Sequence, residues 1–286
     1  MENNSSKEFK SFFKKVTGNE GERCHYPTRL DTYGCGCSHD CSYCYAKSLL
    51  DFRKLWNPSH PTTANYEKVI RTIRRNLKEG DIVRLGGMTD CFQAIERERR
   101  VTYKAIEELN KRNVGYLIVT KSDLVASDEY MQLMRKDLAH IQISITTTDD
   151  NLCKTYEKAP STSRHIAAIE KLQAAGFDVQ VRLSPYIPEI VDLEKIGAIK
   201  CEKLLVEFLR ANTWIKRWFP QVDYSAYSLF HKGYNHLPLD RKINLINDIK
   251  SVWDKEVSVC EDVPEHQDYW NEYINSNPDD CCNLRK

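Results

Sequence analysis

The chain has 286 residues, of which 41% are hydrophobic and 29% charged; it is long enough to bury a core without disulfides and too apolar for extended disorder. Its 42 basic against 41 acidic residues give a formal charge of +1, which argues against a generic polyanion binder but leaves a local basic groove open. No run of 18 apolar residues occurs, so no membrane-spanning helix is expected.

In chain order, residues 1–23 read as a polar N-terminal arm with one helix around Phe9–Val16, and Met1–Lys15 lacks the apolar stretch of a secretory signal. A first strand is expected near Arg29–Tyr33. Strands and helices then alternate: strand Ile82–Leu85, helix Arg99–Arg112, strand Tyr116–Val119, helix Ser127–Lys136, strand Ile141–Ile145, helix Ser161–Ala175, strand Phe177–Leu183, helix Val191–Ile199 and strand Lys203–Phe208. Six βα repeats before residue 210 predict a mainly parallel sheet, and several strands read as nearly continuously apolar, as strands covered by helices do.

A doubly wound sheet and a partial barrel both fit that count. The polar residues tilt the choice. Thr89-Asp90, Thr120-Lys121, Ser144 to Thr148, Ser184-Pro185 and Glu207 each follow a strand. Five polar strand ends suit a ring around one cavity better than a single crevice. The expectation is an α/β partial barrel over residues 24–210, followed by an extension over 211–286. That extension opens with an aromatic and basic insertion carrying Trp214, Lys216, Arg217, Trp218, Phe230 and His231. A helix Leu239–Trp253, a short strand Glu256–Cys260 and a polar tail complete it.

Eleven cysteines, an odd number, predict metal binding or catalysis in a reducing, cytoplasmic compartment rather than a disulfide framework. Cys37-Ser38-His39-Asp40-Cys41-Ser42-Tyr43-Cys44 spaces three thiols by three and then two residues after the first strand. Three thiolates on one loop suit three irons of a 4Fe–4S cluster and leave the fourth iron open, whereas electron-transfer clusters usually have four cysteines. The alternative is a zinc site completed by His39 or Cys35, within a non-catalytic interaction module.

With Tyr43 as its aromatic, this triplet resembles the signature of the radical S-adenosylmethionine (SAM) superfamily. The runs Gly36 to Tyr45, Thr89 to Glu96, Thr120 to Ser122, Ser144 to Thr147 and Arg182 to Pro188 resemble, more narrowly, its spore photoproduct lyase-like group. The resemblance implies a partial (β/α)6 barrel, a 4Fe–4S cluster on Cys37, Cys41 and Cys44, and SAM on the open iron. It also implies radical abstraction of hydrogen from a substrate, and a low-potential flavodoxin or ferredoxin as electron donor.

On that resemblance, Gly86 and Gly87 let backbone approach the SAM amino group, and Thr89 and Asp90 share the same strand end. Asp90 then binds SAM or an internal partner. Lys121 is a candidate to neutralise the SAM carboxylate, Ser144 and Thr146 to bond ribose or carboxylate, and Tyr43 to pack near adenine. Arg182 needs an anion, with SAM, a substrate phosphate and Glu207 as alternatives. Tyr45 and Cys91 are candidate hydrogen-atom relays, although Cys91 is offset from the group's donor cysteine and reads more readily as a buried inert thiol.

Cys260, Cys281 and Cys282 are candidate ligands of an auxiliary metal or cluster, without a clean four-ligand spacing; adjacent cysteines can also form a redox pair or do nothing. For the substrate, the aromatic and basic insertion suits stacked bases and phosphates of nucleic acid. A peptide or small metabolite under a closing lid is the alternative.

Overall fold

The computed structural model describes residues 8–16 and 24–284. One eight-stranded sheet organises it. In chain order the strands of the molecule are β1 (Phe13–Lys15), β2 (Thr28–Leu30), β3 (Tyr33–Gly34), β4 (Thr62–Thr63), β5 (Ile82–Leu85) and β6 (Gly115–Thr120). They continue with β7 (Ala139–Ile145), β8 (Asp178–Tyr186), β9 (Lys203–Phe208), β10 (Leu229–His231), β11 (Tyr234–His236) and β12 (Glu256–Val259). The large sheet runs β1-β2-β5-β6-β7-β8-β9-β12. Every pairing from β2 onward is parallel. The order never reverses, so there is no switch point of the doubly wound kind; the sheet is a partial barrel with helices outside.

The strands are two-faced rather than uniformly apolar. Ile141, Ile143 and Ile145 of β7, Val179, Val181 and Leu183 of β8, and Leu204, Val206 and Phe208 of β9 join the main core under the helices. The alternate positions, His140, Gln142, Asp178, Gln180, Arg182, Lys203 and Glu207, line cavities on the inner face. The period of two along each strand puts these sets on opposite faces. Inner polar groups are paired: His140 Nδ1 lies 2.6 Å from Asp178 Oδ2, Lys203 Nζ donates to Asp178 at 2.9 Å, and Gln142 Nε2 donates to Gln180 at 2.8 Å.

The edge strands β1 and β12 do not pair, so the barrel is open, and residues 280–284 lie against its inner side. Tyr26 donates its hydroxyl to Asp280 at 2.5 Å, and Lys203 donates to the Asn283 carbonyl at 2.7 Å. Leu284 and Cys282 pack with Tyr26 and Leu117 in a second, smaller apolar cluster.

Three expectations change. The segment expected as a helix around Phe9–Val16 is extended, and β1 pairs antiparallel with β2 through Phe13–Leu30 and Lys15–Thr28. Its Phe-Phe pair suits a half-buried edge strand. The first strand breaks after Leu30, and Tyr33–Gly34 pairs instead with Thr62–Thr63. The polar tail holds a helix, Pro264–Tyr273, that starts on proline and buries Trp270 completely. The insertion forms a helix, Thr213–Trp218, and the β10–β11 hairpin. The hairpin turns on Lys232 and Gly233, both at positive φ, as a two-residue turn of this kind requires.

Glu96 knots the segment after β5. Its fully buried carboxylate accepts from the hydroxyls of Tyr33 and Tyr130 and from the backbone N–H groups of Thr102 (3.0 Å) and Tyr103 (2.9 Å). The last two begin the Val101–Lys111 helix, so the carboxylate serves as its anionic cap. Glu96→Ala leaves these donors buried without an acceptor and is expected to cost about 2–4 kcal/mol, read as a lower urea midpoint at unchanged slope. A midpoint within error of the parent contradicts this role.

Candidate functional site

One cavity of about 260 Å³ opens at the carboxyl ends of the parallel strands, the end where barrel folds gather their chemistry. Cys37, Cys41, Cys44, Tyr43, Tyr45, Gly86, Gly87, Thr89, Asp90, Lys121, Ser144 and Arg182 all line it. Thr146 and Cys91 do not. Thr146 bonds the Tyr156 hydroxyl at 3.0 Å within the wall. Cys91 is 1% exposed and points its sulfur at the Leu30 carbonyl, 3.5 Å away. It is a packed thiol, so its assignment as hydrogen-atom relay is withdrawn, as is the ligand role of Thr146.

The triplet loop between β3 and the Tyr45–Asp51 helix is pinned from several sides. Ser38 N–H donates to Gln93 Oε1 (2.9 Å), Ser42 N–H to the Tyr156 carbonyl (2.8 Å), and Lys158 N–H to the His39 carbonyl (2.6 Å). Asp40 meets Lys47 at 2.9 Å and Lys158 at 3.1 Å. Cys44 caps the helix, its sulfur accepting from Lys47 N–H at 3.5 Å. Tyr43 donates its hydroxyl to Glu157, and Tyr45 donates to the Gly87 carbonyl. Tyr45 thus ties the loop's helix to the glycine turn.

Asp90 proves to have internal partners. One oxygen accepts from Thr120 Oγ1 and Phe92 N–H, both at 2.8 Å; the other meets His39 Nε2 at 3.1 Å and Lys121 N–H at 2.7 Å. Burial pushes this carboxyl up, but His39 and the backbone donors outweigh burial and hold it below the usual range. Arg182 is likewise committed: it donates to Gln142 Oε1 at 2.6 Å and to Glu207 Oε2 at 2.5 Å. Burial opposes ionisation of Glu207, yet Arg182 and Arg210 bring it down to about 2. Of the alternatives open for Arg182, the structure realises the internal ion pair.

Lys121 is held by Glu157 (3.6 Å) and the Ser184 carbonyl (3.4 Å), with its ammonium 5.4 Å from the Tyr43 ring centre. Glu157 escaped the sequence reading because it follows a helix in no motif. The signal was indirect: a half-buried lysine requires an anion. Burial pushes Glu157 up, and Lys121, Cys153 and Tyr43 together pull it below its ordinary value.

The donor set fits a thiolate-bound cluster. Three thiols of one loop face one cavity, and burial pushes all three up, so metal loading must displace their protons. Among the described residues no group of three or more His, Cys, Asp or Glu is arranged to hold a single metal ion. In a cluster each thiolate binds its own iron and the sulfurs stand further apart than around one zinc. His39, the proposed fourth zinc ligand, is engaged by Asp90. Gly86 adds a cradle: at φ +87 an added Cβ would stand 2.8 Å from the Val119 carbonyl oxygen. Asp31 Oδ1 accepts from Gly87 N–H at 2.7 Å and Met88 N–H at 3.1 Å and fixes that turn.

The sequence model of the Radical SAM superfamily matches residues 32–196. An uncharacterized protein of Methanocaldococcus jannaschii is 29% identical over 165 residues, which cover 56% of this chain and 61% of that protein. An uncharacterized protein of Mycobacterium tuberculosis is 28% identical over 231 residues, covering 69% of this chain and 66% of that protein. The chain thus spans between three-fifths and two-thirds of the length of these relatives. Among solved structures, a spore photoproduct lyase mutant with bound AdoMet and dinucleoside spore photoproduct superposes with a TM-score of 0.62 at 16% identity. The match covers 84% of this chain and 75% of that one, and at that identity it describes the fold.

Gly86→Ala is expected to destabilise the chain by about 1–3 kcal/mol, because positive φ and a backbone clash coincide there. Gly80→Ala is the control: its φ is +83 but nothing lies within 4 Å, so only the φ penalty remains. Equal losses at the two sites in urea titrations would remove the close approach from the account.

Proposed function

The chain belongs to the radical SAM superfamily, whose members carry a 4Fe–4S cluster and SAM, and we propose that it is a radical SAM enzyme of the spore photoproduct lyase-like kind. The observation that carries this reading is the convergence of the cysteine triplet, the Gly86 turn and the polar strand ends on one cavity. Cys37, Cys41 and Cys44 would hold the cluster, and SAM would lie against Gly86, Gly87, Thr89, Lys121 and Ser144. When bound, the cluster supplies an electron to the S–C5′ bond of SAM, the source of methionine and a 5′-deoxyadenosyl radical.

The chain's own residues bind and orient. Lys121, held by Glu157 and the Ser184 carbonyl, offers a positioned cation to the SAM carboxylate. Tyr43 packs edge-on against Tyr156 and Phe219, each 5.8 Å away, and with them gives an apolar wall that excludes water. Asp90 fixes the loop against the strand ends. A low-potential flavodoxin or ferredoxin would supply the electron.

For the substrate we favour a nucleobase within DNA or RNA. Trp214 and Phe230 of the insertion are exposed, Trp214 pairs with Trp218 at 5.9 Å, and Lys47 stands 5.1 Å over the Trp218 ring. Exposed aromatics beside cations suit stacked bases and phosphate. The solved lyase that holds a dinucleoside photoproduct supports the same choice.

Anaerobic reconstitution with iron and sulfide, followed by SAM and dithionite, is expected to release 5′-deoxyadenosine from the parent chain and none from Cys41→Ala. Undiminished release from that variant would exclude the triplet. Lys121→Met is expected to raise KM for SAM about 10–100-fold, the loss of one charge-assisted contact worth about 1.5–3 kcal/mol. An unchanged KM removes Lys121 from SAM binding. Binding to single-stranded oligonucleotides is expected to weaken as salt rises, because phosphate contacts release counterions. Salt-independent binding, or none, overturns the nucleic-acid substrate in favour of a peptide or small metabolite.

A further inference from the structure

Seven of the eleven cysteines face the main cavity, and only three belong to the triplet. The other four come from three remote segments: Cys24 precedes β2, Cys260 directly follows β12, and Cys281 and Cys282 lie in the tail. All four are free thiols. Cys24, Cys281 and Cys282 pack into one small cluster with Tyr26 and Leu117, and Cys260 lines the same cavity.

Of the remaining four, Cys35 does not line the cavity, and the other three behave differently. Cys91, Cys153 and Cys201 each point a sulfur at an oxygen: the Leu30 carbonyl (3.5 Å), Glu157 (2.9 Å) and the Val179 carbonyl (3.4 Å). Those are ordinary packed thiols, scattered through the wall. Beside Tyr26, by contrast, free thiols from three segments gather on one wall of the cavity, and thiols brought together without a bridge are the donors that soft metals select.

Contacts that do not use the thiols hold this geometry. Asp280 accepts from the Tyr26 hydroxyl at 2.5 Å and from Cys282 N–H at 3.0 Å. Cys260 N–H donates to the Val206 carbonyl at 2.9 Å, and Lys203 holds the Asn283 carbonyl at 2.7 Å. Arg84 lines the same cavity as these four cysteines and places a cation in the wall where four thiolates would concentrate negative charge.

We propose that Cys24, Cys260, Cys281 and Cys282 hold a second iron–sulfur cluster, bound by four protein thiolates across the open seam of the barrel. A single zinc ion is the other occupant that four thiolates suit, and the metal count below separates the two. Four protein ligands leave no open iron, so this centre is not a second SAM site. The inference concerns residues that the proposed SAM chemistry does not require.

The test counts iron and acid-labile sulfide after anaerobic reconstitution, with zinc measured alongside. The variant Cys37→Ala/Cys41→Ala/Cys44→Ala is expected to keep about two to four irons per chain with an equal amount of sulfide. Cys281→Ala/Cys282→Ala is expected to fall to the triplet's share of about four irons. A folded triplet variant, judged by circular dichroism, that takes up no iron overturns the proposal, as does zinc in its place. Should the triplet variant not fold, the tail variant decides: iron equal to that of the parent chain overturns the second cluster. Failure of the functional reading looks different, since the tail variant would then carry no iron and release no 5′-deoxyadenosine.

Discussion

Both oxygens of Asp90 are committed, one to His39 and the backbone N–H of Lys121, the other to Thr120 and the backbone N–H of Phe92. This carboxylate joins the cysteine loop to the ends of two neighbouring strands. A buried charge is tolerated only when its neighbours supply the hydrogen bonds that water no longer does. The requirement runs both ways: the loop cannot shift without stripping Asp90 of a donor. On the far side of the loop, Tyr43, Glu157 and Lys121 form a second such chain. The triplet loop is therefore positioned mainly by oxygen and nitrogen contacts, with the Cys44 sulfur adding a helix cap.

The sheet supports this by dividing its labour between faces. Isoleucines, valines and leucines of β7, β8 and β9 pack outward beneath the helices, and their neighbours turn inward with amides, carboxylates and cations. Many closed barrels fill their interior with layers of branched apolar side chains. Here the interior is a satisfied polar network, from His140 and Asp178 through Gln142 and Gln180 to Arg182 and Glu207. Such a network holds its shape because each member lacks an alternative partner.

Much of this was legible in the sequence. The strands Ile82–Leu85 and Lys203–Phe208 fall where their residues predicted, and the polar strand ends met around one cavity as expected. What escaped was set by tertiary partners. Phe12-Phe13 reads as helix or strand alone and becomes a strand only against β2. The inner polar positions of β7 and β8 were submerged among apolar neighbours in a linear reading. Asp90 and Arg182 were recognised, as was Glu207 as a partner of Arg182, but no local pattern links Asp90 to His39 or Arg182 to Gln142. Cys24 was passed over because nothing in its local spacing connects it with residues some 240 positions away.

The Tyr26–Asp280 hydrogen bond spans 254 positions of the chain, and it lies on the wall of the same barrel that holds the triplet. A contact of such separation carries a large loop-closure entropy and forms after its local neighbours. The strands and helices up to β9 can assemble from successive βα units, each closing a short loop. The wall that joins Tyr26 to Asp280 cannot, because its two sides stand 254 positions apart. The triplet loop and its strand ends therefore fold beside an unsealed edge, open to water and to oxygen, and the cavity is completed only once residues 280–284 are in place.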